Sequence, residues 1–467
     1  MTALLTDLYQ ITMSQGYFRA GMHDRRAVFH LFFRRAPFSG EYAVAAGLEP
    51  AIDWLTGLRM GDQQIDYLAA LTGNDGAALF ATDFLRFLRD TPITLDVDAM
   101  PEGTLAFAHQ PLLRVTGPLW QCQWVETALL NMINFQTLIA TKASRVCQAA
   151  GDDPVLEFGL RRAQGIDGGL AASRAAYVGG CAATSNVQAG LQFGIPVKGT
   201  HAHSWVMSFD DELTSFQAYA DAMPNNCVFL VDTYDTIQGV RNAIEVGTAI
   251  RREGHQMVGI RLDSGDLSEL SRQARKLLDQ AGFESAAIVA SNDLDEHEIQ
   301  RLKNDGAKIA LWGVGTNLVT AQDQPALGGV YKLAAIQDES GKWVPKVKLS
   351  EQEIKTSNPG IQQVRRFQRG DEMVGDIIYS ELIGPPGDDA MGPQCSTTDL
   401  LIPVVRDGRR VHPSEPLSQI RGRVQAGLKS LPGQTKRIDC PKPYPVRLEQ
   451  RLSQQKIALI TAVDKGD

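Results

Sequence analysis

With 467 residues, the chain exceeds the usual size of one hydrophobic core, so we expect two domains or one elaborated barrel. Hydrophobic residues make up 43% and charged residues 21%, as in soluble globular proteins, and the net charge of −8 argues against a nucleic-acid-binding face. No apolar run approaches the ~18 residues of a membrane span, and the N-terminus lacks a basic leader. These features, with six scattered cysteines, indicate a cytoplasmic protein without disulfides.

The first segment, residues 1–118, is predicted to form an α+β domain. Residues 47–90 repeat apolar side chains every three or four positions between glycine-rich breaks, which is typical of helices. Residues 93–98 instead alternate apolar and polar side chains, and a turn follows at residues 101–103. This change of period predicts an antiparallel hairpin region.

The second segment, residues 119–345, is predicted to form an irregular (β/α) barrel. It opens with one helix from Leu119 to Ala150 that is apolar nearly all round. Short apolar segments then alternate with polar loops and helices, in the order VLEF, CAAT, IPVKG, CVFLVD, MVGIRLD, AAIVAS, KIALWG and GVYKLAAI. Seven or eight such units fit a barrel better than a doubly wound sheet, whose glycine-rich first turn is missing.

The third segment, residues 346–467, loses this rhythm and gains proline and basic residues. We expect strands and terminal helices there that pack back on the N-terminal domain. The predicted fold class is therefore α/β, with an irregular (β/α) barrel domain plus an α+β domain built from the N-terminal and C-terminal segments.

Polar residues and glycines follow most of the predicted barrel strands. Active sites of barrels lie at the C-terminal ends of the strands, so these residues are candidates for function. They are Glu157–Arg162, Thr184–Asn186, Gly199–Ser204, Asp232–Thr233, Arg261–Asp266, Ser291–Asp293 and Gly313–Asn317. Aspartates, arginines, hydroxyls and glycines together indicate a phosphorylated, ribose-bearing substrate.

Each candidate has a structural alternative. Arg261 offers a planar fork for phosphate or carboxylate, and Asp263 suits ribose hydroxyls or Mg²⁺ held through water, although this loop also fits a plain helix cap. Phe158 is either a core residue or a stacking partner for a flat ring whose acid group pairs with Arg161. The glycine loop 313–317 is either a phosphate site or a tight turn.

The segment GTHAHS places two histidines, His201 and His203, two positions apart. A metal-dependent amidohydrolase-like barrel would need further histidines and an aspartate at later strand ends, and the sequence does not place them there. A phosphoryl-accepting nucleophile needs only one histidine facing the phosphate cluster. The residues themselves do not decide which histidine acts, and the other would be held by a structural hydrogen bond.

Seven motifs, in order from about residue 5 to residue 350, resemble those of the nicotinate phosphoribosyltransferase family, which belongs to the type II phosphoribosyltransferases. They are LLTDLYQITM, FFRRAPFSGEYAVAAGLE, LLNMINFQTLIATKASRV, EFGLRRAQG, ATSNVQAGLQFGIPVKGTHAHS, GIRLDSGDL and VGTNLVT…GGVYKL. The resemblance implies that nicotinate and 5-phosphoribosyl 1-diphosphate become nicotinate mononucleotide and diphosphate. It also implies ATP hydrolysis through a phosphohistidine, His203, with Mg²⁺ bound through substrate phosphates.

The resemblance further assigns residues to the substrates. Tyr9 of one subunit and Phe158 of the other would sandwich the pyridine ring, so the minimal active unit would be a homodimer. The carboxylate or the phosphates would lie near Arg161, Thr200 and Arg261, ribose at Asp263, and the 5-phosphate at Gly315 and Thr316. The resemblance gives His201 no role.

Ser185 separates this reading from its alternative, nicotinamide phosphoribosyltransferase. The nicotinamide-using enzymes carry an aspartate at the corresponding position, which accepts from the amide. A carboxylate there would repel nicotinate, because like charges ~4 Å apart cost ~1 kcal/mol in water and ~4 kcal/mol at an effective dielectric constant of 20. Ser185 therefore favours the acid.

Overall fold

The computed structural model describes residues 2–350 and 352–464. The chain forms two compact units, the first from Met1–Leu138 with Ala326–Asp467 and the second from Ile139–Pro325. Both are mixtures of helices and strands, and the predicted fold class is confirmed. None of the described helices is long and apolar enough to cross a membrane.

The first unit is built on an antiparallel sheet to which both ends of the chain contribute. The strand Arg26–Phe33 pairs with Leu113–Pro118 on one side and with Gly329–Gln337 on the other. At the far side, Asp96–Ala99 pairs with Ile402–Arg406 from the C-terminal segment. Residues 27–33 are all buried, which explains why this strand reads as a continuous apolar run rather than an alternating one.

The remaining elements of the first unit are two further strands of the main sheet, two smaller sheets and several helices. The main sheet also contains Trp343–Pro345 and Arg409–Arg410. The smaller sheets contain Ser396–Asp399, Gln362–Arg369, Glu372–Ser380 and Val446–Leu448, and Ala43–Val44 with Leu105–Ala106. The helices are Leu8–Arg19, Leu48–Thr56, Asp62–Ala69, Thr82–Asp90, Leu119–Trp124, Glu353–Lys355 (3₁₀), Leu417–Ser430 and Gln450–Asp464.

The second unit, whose residues are all described, contains six parallel strands. We number them barrel strands 1 to 6 in chain order: Val155–Glu157, Ala183–Thr184, Val228–Leu230, Gly259–Leu262, Ala287–Ala290 and Leu311–Val314. Their order in the sheet is 2-1-6-5-4-3, so strands 2 and 3 stand at its two ends. The helices of this unit are Leu160–Arg162 (3₁₀), Ile166–Gly179, Val187–Phe193, His203–Met207, Glu212–Ala222, Thr236–Arg252, Leu267–Gln280, Glu296–Asn304 and Thr316–Val319.

Three predicted elements differ from the structure. The segment GVYKLAAI, expected to be a barrel strand, is instead the strand Gly329–Gln337 of the first unit. The segment IPVKG forms only a single bridge, from Val197 to Thr184, and Pro196 has no N–H with which to extend a ladder. The helix predicted over 119–150 is two helices, Leu119–Trp124 and Glu126–Ala150.

Candidate active site

His203 is the first residue of a short helix that follows the irregular segment between barrel strands 2 and 3. Its Nδ1 lies 3.1 Å from the Thr233 hydroxyl and its Nε2 lies 3.7 Å from a carboxylate oxygen of Asp263. The side chain is 39% exposed. When Nδ1 carries the proton and donates to Thr233, Nε2 keeps a lone pair for an electrophile.

Two aspartates lie side by side at the ends of barrel strands 3 and 4. Oδ2 of Asp232 accepts from the backbone N–H of Asp263 at 2.8 Å and from the Ser264 hydroxyl at 2.6 Å. The Ser291 hydroxyl donates to the Asp263 carboxylate. Oδ1 of Asp232 is buried and accepts no hydrogen bond from the described part of the chain. A buried carboxylate oxygen without a donor is unusual in a folded protein, which makes Asp232 a candidate functional residue.

Arg261 and Thr200 contact each other close to His203 and the two aspartates. The Arg261 guanidinium donates to the Thr200 hydroxyl and, at 3.3 Å, to the backbone carbonyl of His201. Burial lowers the pKa of Arg261, whereas the carboxylates of Asp263 and Asp232 raise it. An arginine remains cationic at neutral pH, so the site holds a fixed positive charge beside two carboxylates.

Phe158 follows barrel strand 1, and its backbone N–H donates to the carbonyl of Val314 at 2.8 Å. Its ring lies against Gly313, where an added Cβ would stand 2.7 Å from the ring. A glycine is required at 313 for this close approach. The glycine loop after barrel strand 6 thus supports the half-buried Phe158 ring at the edge of the site.

Glu157 is a buried carboxylate that the sequence analysis names only as part of the strand-end segment Glu157–Arg162. It accepts from the Ser173 hydroxyl at 2.8 Å, from the Thr184 hydroxyl at 2.6 Å and from the backbone N–H of Gly159. Its backbone carbonyl accepts from the N–H of Ser185 at 2.9 Å. Glu157 therefore holds the loops after barrel strands 1 and 2. The only signal in the sequence is its position as a charged residue inside the apolar run VLEF.

The remaining predicted site residues are more scattered. Arg161 is exposed on the 3₁₀ helix Leu160–Arg162, close enough to influence the pKa of Arg261. Gly315 and Thr316 begin the helix Thr316–Val319 after barrel strand 6. Tyr9 belongs to the first unit and is 49% exposed.

Comparison with known proteins identifies the family. Residues 4–134 match the nicotinate phosphoribosyltransferase (NAPRTase) N-terminal domain, residues 155–368 the NAPRTase family, and residues 386–456 the C-terminal domain. A nicotinate phosphoribosyltransferase of Bacillus subtilis (strain 168) is 44% identical, over 99% of this chain and 96% of that protein. The chain belongs to the nicotinate phosphoribosyltransferase family.

Other family members support the assignment. The nicotinate phosphoribosyltransferase pncB2 of Mycobacterium tuberculosis is 40% identical, over 96% of this chain and 92% of that protein. The crystal structure of human nicotinic acid phosphoribosyltransferase superposes with a TM-score of 0.84 at 33% identity, covering 98% of this chain and 100% of the human one. Membership of this family sets aside the amidohydrolase-like alternative.

Asp232 and Asp263 could bind a divalent cation only together with ligands that the protein does not supply. Among residues 2–350 and 352–464, no group of three or more His, Cys, Asp or Glu side chains is arranged to hold a metal ion. The unpartnered oxygen of Asp232 and the neighbouring Asp263 carboxylate are the hard oxygen donors that Mg²⁺ prefers. Water and substrate phosphates would have to supply the other ligands.

Proposed function

We propose that the protein is a nicotinate phosphoribosyltransferase of NAD biosynthesis that couples ATP hydrolysis to product formation through phosphorylated His203. The observation that carries the proposal is the position of His203, partly exposed and in contact with Thr233 and Asp263, in a cluster that also contains Arg261. We also propose a cytoplasmic location, as expected for an enzyme of this pathway.

In the phosphorylation step, Nε2 of His203 attacks the γ-phosphorus of ATP. The N–P bond forms as the bond to the β-γ bridging oxygen breaks, and ADP leaves. The attack requires the tautomer in which Nδ1 donates its proton to Thr233, because Nε2 then keeps its lone pair. Mg²⁺ bound through the substrate phosphates, with Asp232 and Asp263 as protein ligands, would neutralise phosphate charge. Water later cleaves the N–P bond and regenerates the histidine.

In the transfer step, the nicotinate nitrogen attacks C1 of 5-phosphoribosyl 1-diphosphate, and the bond from C1 to the diphosphate oxygen breaks. Asp263 accepts from ribose hydroxyls, while Gly315 and Thr316 bind the 5-phosphate. Arg161, Arg261 and Thr200 lie near the pyridine carboxylate or the phosphates. Fixed charges that meet the developing oxocarbenium ion and diphosphate lower the barrier.

The pyridine ring stacks between Phe158 and Tyr9 of the partner subunit, which makes a homodimer the minimal active form. Two observations support this arrangement. The Phe158 ring is held at the site by Gly313, and the Tyr9 side chain is about half exposed, so another subunit can use it. Ser185 lies on the neighbouring loop and adds no negative charge, which favours nicotinate over nicotinamide.

The decisive experiment measures mononucleotide formation from nicotinate and from nicotinamide, each with and without ATP. We expect product from nicotinate, stimulation by ATP, and an acid-labile phosphoryl group after incubation with ATP. His203→Ala should abolish the phosphoryl group and the stimulation. An intact phosphoryl group in His203→Ala would refute the histidine assignment, and equal turnover of both pyridines would refute the role of Ser185.

A further inference from the structure

The parallel sheet of the second unit is interrupted between barrel strands 2 and 3. The segment from residue 195 to residue 202, which connects across this gap, contains no strand. On one side, Thr184 exchanges backbone hydrogen bonds with Pro196 and Lys198. On the other side, the backbone N–H of Leu230 in barrel strand 3 donates to Nε2 of His201 at 3.2 Å. The imidazole thus occupies the place of a backbone acceptor.

The sheet geometry explains why Leu230 needs this acceptor. The next N–H along the chain, that of Val231, donates to the carbonyl of Arg261 in barrel strand 4. Alternate N–H groups of a strand point to opposite sides, so the N–H of Leu230 faces the gap. A buried backbone donor without a partner would be destabilising, and His201 supplies that partner.

The surroundings of His201 hold it neutral and in one tautomer. The side chain is only 7% exposed, and its ring centroid lies 5.0 Å from that of Tyr219 and 5.9 Å from that of Phe216. Because Nε2 accepts from Leu230, the proton must reside on Nδ1, which lies 3.4 Å from the carbonyl of Ala202. Burial, with the nearby charge of Arg261, lowers the pKa of His201 to about 4.

The backbone of His201 is also tied to the active site. Its carbonyl accepts from Arg261, which donates to the hydroxyl of Thr200 as well. His203 follows two residues later, with its own ring on Thr233. His201 therefore lies between two residues of the proposed mechanism along the chain, Thr200 before it and His203 after it.

We propose that His201 is a positioning residue, whose neutral Nε2 closes the gap in the barrel by accepting from Leu230 and thereby fixes His203 and the Thr200–Arg261 pair for catalysis. The inference rests on the proposed phosphorylation of His203. It also explains why the two histidines of one motif differ in chemistry. The Nε2 of His201 is already engaged and its ring is buried, whereas the side chain of His203 is 39% exposed and its Nε2 lies 3.7 Å from the Asp263 carboxylate.

The test compares two substitutions of His201 in the full-length protein. In His201→Gln, the amide oxygen can accept from Leu230, while in His201→Leu no acceptor remains. We expect the initial rate of His203 phosphorylation by radiolabelled ATP to fall about tenfold or more in His201→Leu, since the lost hydrogen bond leaves a buried donor unpaired. His201→Gln should regain most of that rate. His255→Leu is the matched control, because His255 precedes barrel strand 4 and bonds Asn225 outside the site.

Three results would overturn the inference. One is a wild-type phosphorylation rate in folded His201→Leu, which would make the role purely structural. Another is a phosphoryl group mapped to His201 itself. The third is a proton on Nε2 of His201, as seen by ¹⁵N histidine NMR of the wild-type protein. This measurement tests the inference even if His201→Leu does not fold.

Failure of the proposed coupling can be distinguished from failure of this inference. If the wild-type protein accepts no phosphoryl group from ATP, the coupling is wrong and the variants are compared by ATP-independent mononucleotide synthesis. Loss in His201→Leu with recovery in His201→Gln would then support positioning of Arg261 and Thr200. Equal rates in both variants would reject it.

Discussion

Each unit of the molecule contains a buried aspartate, Asp376 in the first and Asp232 in the second. The two aspartates differ in how many of their carboxylate oxygens accept hydrogen bonds. In the first unit, Asp376 accepts from Arg366 at 2.7 and 3.0 Å, from Gln110 at 2.7 Å and from Tyr444 at 3.0 Å. In the second unit, Asp232 has two donors on one oxygen, and its other oxygen accepts from no group within the described residues. A saturated carboxylate stabilises its own surroundings, whereas a half-used one has capacity left for a ligand.

The largest expected effect is on stability, at the saturated carboxylate. Asp376→Asn leaves the guanidinium of Arg366 buried without its counter-charge, and we expect the free energy of unfolding to fall by about 3 kcal/mol. Urea unfolding followed by circular dichroism measures the loss. Mononucleotide synthesis per folded molecule should stay at the wild-type level. Unchanged stability would show that saturation of Asp376 has no structural consequence.

The matched substitution in the second unit should give the opposite pattern. Asp232→Asn keeps an oxygen for the backbone N–H of Asp263 and the Ser264 hydroxyl but removes the charge, so stability should change by less than about 1 kcal/mol. The rate of synthesis at saturating substrates should fall roughly 100-fold, because charge stabilisation of the bound phosphates and cation is lost. A large loss of stability with normal turnover would make Asp232 a structural residue too.

A carboxylate placed on the loop after barrel strand 2 should change substrate preference. We expect Ser185→Asp to lower kcat/KM for nicotinate about tenfold or more through charge repulsion, with a smaller effect on nicotinamide. Ser185→Asn, similar in size but neutral, is the control. Steady-state kinetics with both pyridines measures the effect. An equal loss of kcat/KM for nicotinate in Ser185→Asp and Ser185→Asn would contradict the prediction.

A further prediction concerns the dependence of stability on pH. The pKa of His201 is lowered to about 4 in the folded protein from an ordinary value near 6.5, so the unfolded chain binds the proton more readily. The stability associated with neutral His201 is thus complete above about pH 6.5 and declines as pH falls toward 4. Between pH 7.5 and 5, wild type should lose about 2 kcal/mol more than His201→Gln. Parallel pH profiles for the two proteins would exclude this contribution.

Local sequence signals were sufficient for much of the second unit. The helices Thr236–Arg252 and Leu267–Gln280 begin at aspartates whose side chains cap them, Asp235 and Asp266, and such a cap is a signal that the local sequence carries. Strand ends were also predictable, because an apolar run followed by Asp, Ser or Gly marks them. That pattern is why Thr200, Arg261 and Asp263 could be expected to meet before any geometry was known.

What could not be predicted depends on distant partners. The strand Gly329–Gln337 looks like another barrel strand until Arg26–Phe33 is available to pair with it, and periodicity cannot distinguish the two arrangements. The role of His201 depends on a gap between strands and on an N–H of Leu230 that sequence does not reveal. Asp232 was visible as a strand-end residue, but its unused oxygen is a property of packing.

The pairing of strands from opposite ends of the chain affects how the protein folds during its synthesis on the ribosome. Ala27 lies opposite Ile336, and Val97 lies opposite Val405, so the main sheet of the first unit cannot be completed until nearly the whole polypeptide has left the ribosome. The barrel segment emerges earlier and can fold on contacts closer in sequence. Until then, Arg26–Phe33 and Asp96–Ala99 can pair with Leu113–Pro118, but each has one edge without its partner strand, and such open edges are sites of aggregation.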